Sequence, residues 1–369
     1  MSDAIHLPSP FKVDLREHRV VFGAPIADVL AAELEALNIQ RFVLVSSPNL
    51  AARFDKLAST AAKQRLAAQF TGVVPHVPEH TISEALAVAR NSKADGLVAF
   101  GGGTAIDTAK GVANELGLPI VAIPTNFSGS EVTWVFGVTK EGVKHPTYNR
   151  NVLPRAVIYD PSMLLTLPEG VVVCSGINAI AHAVEALYSP QINPLTQALA
   201  ETGIRKMIGG LKGLLANADS GAREQAAAGC FSGAWLCGEA LSQVGMGIHH
   251  RISHLLGGTY GLPHSDAHTV MLPYSIALNI GHVPALAALS DLFPGQPLAL
   301  GLAEFAIAHG APRSLEAIGF SSNDIADAAA LALRTPVVNP RPIAMADVEA
   351  MLRHAHAGDL AAWSRVTAA

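Results

Sequence analysis

Four short strand-like runs without polar alternation recur along the first third of the chain, at Arg19–Phe22, Arg41–Ser46, Gly96–Phe100 and Pro119–Ile123. A strand loses its alternation when both of its faces are buried. Between and after these runs, Ala27–Leu37, Ile82–Arg90 and Thr104–Leu116 carry apolar residues at helical spacing. Strands separated by helices pair in parallel through crossovers, so this part of the chain predicts a parallel sheet covered on both faces.

Beyond Asp160-Pro161 the pattern changes. Ala179–Leu187, Thr196–Leu215, Arg223–Leu241, Gly247–Leu256, Leu298–His309 and Ile325–Leu333 all read as helix. Two domains follow: an α/β domain over residues 1–162 and an all-helical domain over 163–369, with the change falling between Asp160 and Gly170. The 369 residues are half apolar and 15% charged, which supports two buried cores and argues against disorder. A net charge of −5 gives no basic surface for nucleic acid. No run of about 20 residues is apolar enough to span a membrane, and the N-terminus lacks the pattern of a signal peptide. Cys174, Cys230 and Cys237 are odd in number and widely spaced, and read as reduced core thiols of a cytoplasmic protein.

Gly101-Gly102-Gly103-Thr104 joins a predicted strand to a predicted helix. Glycines let backbone N–H groups approach a ligand, and the positive end of the helix dipole faces the same space. Thr104 is placed to cap that helix, with Asp107 as its capping-box acid and Lys110 one turn further on. The next strand runs into Pro124-Thr125-Asn126-Phe127-Ser128-Gly129-Ser130, rich in hydroxyls and amides. Ligands of open α/β sheets bind at the carboxyl ends of strands, so both loops point to one phosphate-bearing cofactor. The GxGxxG fingerprint is absent.

Five of the fifteen histidines fall between His249 and His268: these two, His250, His254 and His264. His250 and His254 are four apart on one helix face, as are Asn178 and His182 on an earlier helix. Pro263-His264 reads as a loop, with His268 four residues beyond. Imidazoles at this spacing serve metal ions or proton transfer. Divalent sites normally add an anionic ligand. Asn178 offers only a neutral oxygen, and the nearby acids Glu185 and Asp266 do not occupy the expected position.

GGGTAIDTAK (101–110), PTNFSGSEVT (124–133), the pair Asn178/His182 and HHRISHLLGGTYGLPHSDAH (249–268) together resemble the iron-containing alcohol dehydrogenase superfamily, whose fold is related to dehydroquinate synthase. The asparagine, the doubled His249-His250, His268 and the run NPRPI (339–343) resemble its maleylacetate reductase branch. The resemblance implies a dinucleotide-binding α/β domain, a helical domain, an active site in the cleft between them and a homodimer. Gly101, Gly102, Gly103, Thr104 and Asp107 would then bind the cofactor pyrophosphate, and Thr125, Asn126 and Ser130 the ribose and nicotinamide. Ser47 stands where NAD-preferring relatives often carry an aspartate, so NADH and NADPH both remain open. The superfamily's metal-ligand positions fall on Asn178, His182, His250 and His264, with His254 as an extra active-site histidine. In this branch the metal is expected to be absent; if one is held, the ligands are His182, His250 and His264.

The activity so implied is reduction of the conjugated double bond of maleylacetate to 3-oxoadipate, in aromatic-compound degradation. His254 and His250 are the expected proton and hydrogen-bond donors, with His182, His249 and His264 shaping the pocket. Arg251, Lys144, Arg150 and Arg155 are candidates for the substrate carboxylates. Two departures bear on substrate choice: 142–150 holds less arginine than the family's usual segment, and Asn126-Phe127-Ser128 is an unusual loop version. Two alternatives stay open, a metal-dependent alcohol or aldehyde dehydrogenase and a non-redox lyase, cyclase or binding protein.

Overall fold

The computed structural model describes residues 11, 13, 17–140, 143–216 and 219–368. Two compact units emerge, one of Leu15–Leu167 with Ala218–Phe231 and one of Pro168–Asn217 with Ser232–Ala369. The sequence puts the division at residue 162; here it falls at Leu167/Pro168, and the first half of a later helix counts with the α/β unit.

The α/β unit is built on a six-stranded sheet. Its strands are β1 (Arg19–Phe22), β2 (Phe42–Val45), β3 (Leu66–Phe70), β4 (Gly96–Gly101), β5 (Ile120–Pro124) and β8 (Ala156–Tyr159), in the order β1-β8-β5-β4-β2-β3. Every adjacent pair is parallel. The four inner strands, β2, β4, β5 and β8, are buried throughout, which is why their sequences do not alternate. Phe42, Phe54 and Phe100 pack in series, edge-on and tilted, at ring distances of 6.2 and 5.8 Å in this core. Helices α1 (Ile26–Ala36), α2 (Pro48–Leu57), α3 (Thr60–Lys63), α4 (Glu79–Asn91) and α5 (Gly103–Leu116) connect the strands. Strand order reverses between β2 and β4, and an α/β sheet binds ligands at such a switch point. β6 (Val135–Lys140) and β7 (Val143–Tyr148) form a separate antiparallel pair.

β3, β8 and the β6–β7 pair are strands beyond those the sequence predicts. β3 (LAAQF) is an edge strand with two alanines and only its last residue buried, so it gives little strand signal. In β8, Ala-Val-Ile-Tyr is a buried apolar run between turn residues, a legible signal left unread.

The helical unit holds α6 (Glu169–Ala186), α7 (Pro194–Leu214), the second half of α8 (Ser220–Ser242), α9 (Ile248–Gly258) and α10 (His264–Asn279). α11 (Pro284–Ala287), α12 (Leu298–Ala308), α13 (Ile325–Ala332), α14 (Met345–Ala357) and α15 (Leu360–Ala368) complete it. α6 is buried from Val172 to Ala186 and packs on α7 and α10; α10 also packs on α9, α12 and α15. The predicted loop at His264 is corrected: Pro263 is the N-cap of α10 and His264 its first residue. Pro273 lies inside that helix, and this pair of prolines disguises it in the sequence. All three cysteines are free and buried, and burial pushes the Cys174 and Cys230 thiols up to about 11 and about 12. Among the described residues no single helix is long and apolar enough to cross a membrane.

Candidate active site

In the α/β unit, α5 starts at Gly103 with Gly102 as N-cap, and no side chain caps it. This corrects the role read for Thr104, which lies inside the first turn with its carbonyl accepting from Thr108 Oγ1 at 2.8 Å. The glycines are needed because the second polar loop sits on them. A Cβ on Gly102 would lie 2.4 Å from Asn126 Nδ2, and one on Gly103 would lie 3.0 Å from Ser128 Cβ. An uncapped helix N-terminus beside a bare backbone is a ready anion site. Ser46 Oγ donates to the Phe100 carbonyl at 2.7 Å, tying β2 to β4 at the switch point, and Ser47 is the N-cap of α2 without a side-chain cap bond. Thr125 is buried, and its N–H donates to the Gly101 carbonyl at 3.1 Å. Asn126 Oδ1 is buried and accepts no hydrogen bond, so it can take an amide N–H from a bound ligand. A dinucleotide fits these residues.

Asp107 does not serve as a capping-box acid. Its carboxylate accepts from Ser130 Oγ and from the Gly137 N–H at 3.4 Å. Lys110 is fully buried, and its ammonium donates to the Ser130 carbonyl and Oγ, to Thr133 Oγ1 at 3.2 Å and to the Val135 carbonyl at 3.0 Å. The second loop is therefore anchored from α5, and Ser130 faces that anchor. Glu131 lies beneath, accepting from Tyr159 at 3.0 Å; burial raises its pKa against the opposing pull of these hydrogen bonds and Lys110.

In the helical unit three helices bring the histidines together: α6 carries Asn178 and His182, α9 carries His249, His250 and His254, and α10 carries His264 and His268. His182 stacks on His250 with ring centroids 5.1 Å apart, His254 stacks on His264 at 5.6 Å, and His264 meets His268 edge-on at 4.5 Å.

At the centre lies Glu185, fully buried on α6. Its carboxylate accepts from the N–H groups of Gly247 (2.8 Å), His249 (2.7 Å) and His250 (3.4 Å) at the start of α9, from Tyr188 OH (2.9 Å) and from His250 Nδ1 (2.8 Å). Burial alone would push the carboxyl up. The charge and hydrogen bond of His250, then His249 and the Gly247 N–H, outweigh it and hold the pKa down to about 2. Glu185 is thus an ionised cap of α9 that orients His250, leaving His250 Nε2 buried and without a hydrogen-bond partner.

A second chain fixes the tautomers of His249 and His268. The Ser275 hydroxyl donates to the Met271 carbonyl at 3.2 Å, so it accepts from His249 Nδ1–H at 3.3 Å. Burial, then the neighbouring His250, lowers the His249 pKa to about 3 against the pull of Glu185, and His249 is neutral. Its Nε2 therefore accepts from His268 Nδ1–H at 2.9 Å. Burial first, then His264, His250, His249 and His254, holds His268 neutral as well. Its buried Nε2 is then a bare lone pair without a partner. Asn178 Oδ1 and His182 Nδ1 are also buried without partners, and burial with the surrounding histidines keeps His182 well below its ordinary pKa.

The superfamily's iron is a poor match to these residues. The carboxylate position is Asn178, and Glu185 is engaged by five donors. Among the described residues the histidine groups with ring nitrogens mutually within 4.8 Å are His249/His250/His268 and His254/His264/His268, and the set His182/His250/His264 is not one of them. Of the carboxylate-binding candidates, Arg251 donates to Thr335 Oγ1, and exposed Arg150 lies 5.1 Å from the Trp134 ring. Arg155 is exposed, and the side chain of Lys144 lies outside the described residues. Asp266 stands in the first turn of α10. Spacing gave no sign of Lys110 as an anchor, of Ser275, or of Glu185 as a helix cap.

Residues 17–161 match the family described as iron-containing alcohol dehydrogenase, and residues 172–356 match its C-terminal region. A maleylacetate reductase from Pseudomonas sp. (strain P51) is 40% identical over 343 residues, which is 92% of this chain and 96% of that protein. The crystal structure of maleylacetate reductase from Rhizobium sp. strain MTP-10005 superposes with a TM-score of 0.87 at 37% identity, covering 95% of this chain and 99% of that one. An iron-containing alcohol dehydrogenase from Corynebacterium glutamicum gives 0.86 at 33% identity over 94% and 97%. With both halves matched and relatives this similar along nearly the whole length, the chain belongs to the iron-containing alcohol dehydrogenase family.

Proposed function

We propose that the protein reduces the carbon–carbon double bond of maleylacetate with NADH or NADPH, giving 3-oxoadipate, and that its own residues perform the acid chemistry without a metal. The maleylacetate reductases at 40% identity support the substrate. The observation that carries the chemistry is His250, gripped at Nδ1 by an ionised glutamate with Nε2 left open.

The substrate's double bond is conjugated to a ketone. When bound, the reduced nicotinamide supplies a hydride to the alkene carbon β to that ketone. The π electrons move onto the ketone oxygen as an enolate, which needs hydrogen-bond donors, and the α-carbon then takes a proton. The ionised Glu185 at Nδ1–H favours the imidazolium form of His250, and that form carries the proton at Nε2. His254, one turn along the same helix and 5.6 Å from His250 between ring centroids, is the second donor for the enolate. His268 cannot donate, since its open nitrogen carries a lone pair; it accepts, and with His182 and His249 it shapes the pocket. The uncapped start of α5 binds the cofactor phosphates, and Asn126 Oδ1 takes an amide hydrogen.

Deuterated cofactor tests this regiochemistry. The reading places the label on the carbon next to the distal carboxylate of 3-oxoadipate, which does not exchange with solvent. Label on a carbinol carbon would show ketone reduction instead and support an alcohol dehydrogenase.

A further inference from the structure

One group of side chains has an arrangement that the reduction itself does not require. His254, His264 and His268 each offer a ring nitrogen, all within 4.8 Å of one another. They run from exposed through half-buried to fully buried, so the group is open to solvent on one side and held by the core on the other. Two come from α10 at a spacing of four and the third from the facing helix α9. His268 is already arranged as a ligand. Its Nδ1–H is held by His249, which is held in turn by Ser275, and its Nε2 lone pair is buried without a partner. A histidine fixed at one nitrogen by an outer hydrogen bond, with the other open, is the usual posture of a metal ligand.

We propose that His254, His264 and His268 form a three-imidazole site for a borderline divalent ion of the zinc class, offset from the superfamily's ligand set and inhibitory when filled. Neutral imidazoles without a carboxylate suit zinc, nickel or copper better than magnesium or calcium. Three histidines with a fourth position left to water are a sufficient zinc set. The site shares only His264 with the superfamily's set and excludes Asn178, His182 and His250. A filled site occupies His254, the proposed enolate donor, which is the reason it inhibits; that clause alone rests on the proposed reduction.

Titration of the metal-free protein with Co²⁺ tests the site through the ion's visible absorption, independently of activity. The proposal expects a saturable 1:1 spectrum of low coordination number. It expects His254→Gln, at an exposed position, to weaken binding at least about tenfold, and His182→Gln to leave it in place. Ser275→Ala, which leaves all three ligands present but frees the His249–His268 chain, is expected to weaken binding as well. No saturable spectrum would overturn the proposal. So would equal loss in His182→Gln, which would put the ion at the superfamily position. A bound ion that leaves NADH oxidation unchanged would overturn the inhibitory clause, whereas absence of any reduction in the metal-free protein would instead count against the proposed function.

Discussion

At the scale of single residues the histidine site turns on Glu185. It stabilises four N–H groups and a hydroxyl, among them the Nδ1–H of His250. Glu185→Gln keeps the shape but cannot accept all five donors. It should lower kcat by roughly 10²-fold through loss of the His250 orientation, with a smaller change in KM for maleylacetate. It should also destabilise the fold by about 2 kcal/mol, measured by urea unfolding. A change in KM alone would argue that Glu185 is structural only. The histidine spacing was legible in the sequence because i and i+4 on a helix share a face. The role of Glu185 was not, because its main partners lie 62 to 65 residues further along.

The same residues make the protein acid-sensitive. His249 has a folded pKa of about 3 against an ordinary 6.5, and His182 and His268 are lowered too. The unfolded chain therefore binds protons that the folded one refuses, and stability falls as pH drops below about 6.5. Glu185, lowered from 4.5 to about 2, adds a further loss as pH falls from 4.5 toward 2. Urea midpoints measured from pH 7.5 to 5 should drop steadily. A flat profile would mean that these imidazoles are protonated in the folded state.

At the scale of elements, the two polar loops proposed to hold the cofactor depend on α5. Lys110→Ala removes a buried ammonium that bridges the Ser130–Val135 segment, and should raise KM for NADH while costing about 3 kcal/mol of stability. Gly102→Ala drives a methyl into the Asn126 amide and should weaken cofactor binding with much less effect on stability. Calorimetric titration with NADH separates the two variants; unchanged affinity in Gly102→Ala would remove this loop from the cofactor site. The glycine run was legible as a tight strand-to-helix turn, whereas the cap was misread, since Gly102 rather than Thr104 begins the helix. Three of the four inner strands, β2, β4 and β5, announced themselves as unbroken apolar runs. β3 did not, because an edge strand of Leu, Ala and Gln carries little of that signal, and α10 was hidden by a proline at each end of its first three turns.

At the scale of the whole molecule, a parallel sheet followed by helices was readable because local periodicity changes from one half of the chain to the other. The return of residues 218–231 to the α/β unit was not readable, since nothing within a continuous helix marks which neighbours its halves meet. The proposed reduction takes its hydride from the nicotinamide cofactor and its acid chemistry from histidine and glutamate, in a family named for iron. The most direct test is NADH and NADPH oxidation with maleylacetate by protein of determined metal content, with and without a strong chelator. Metal-free protein should turn maleylacetate over to 3-oxoadipate, undiminished by the chelator. Activity that tracks bound metal and disappears on chelation would contradict it.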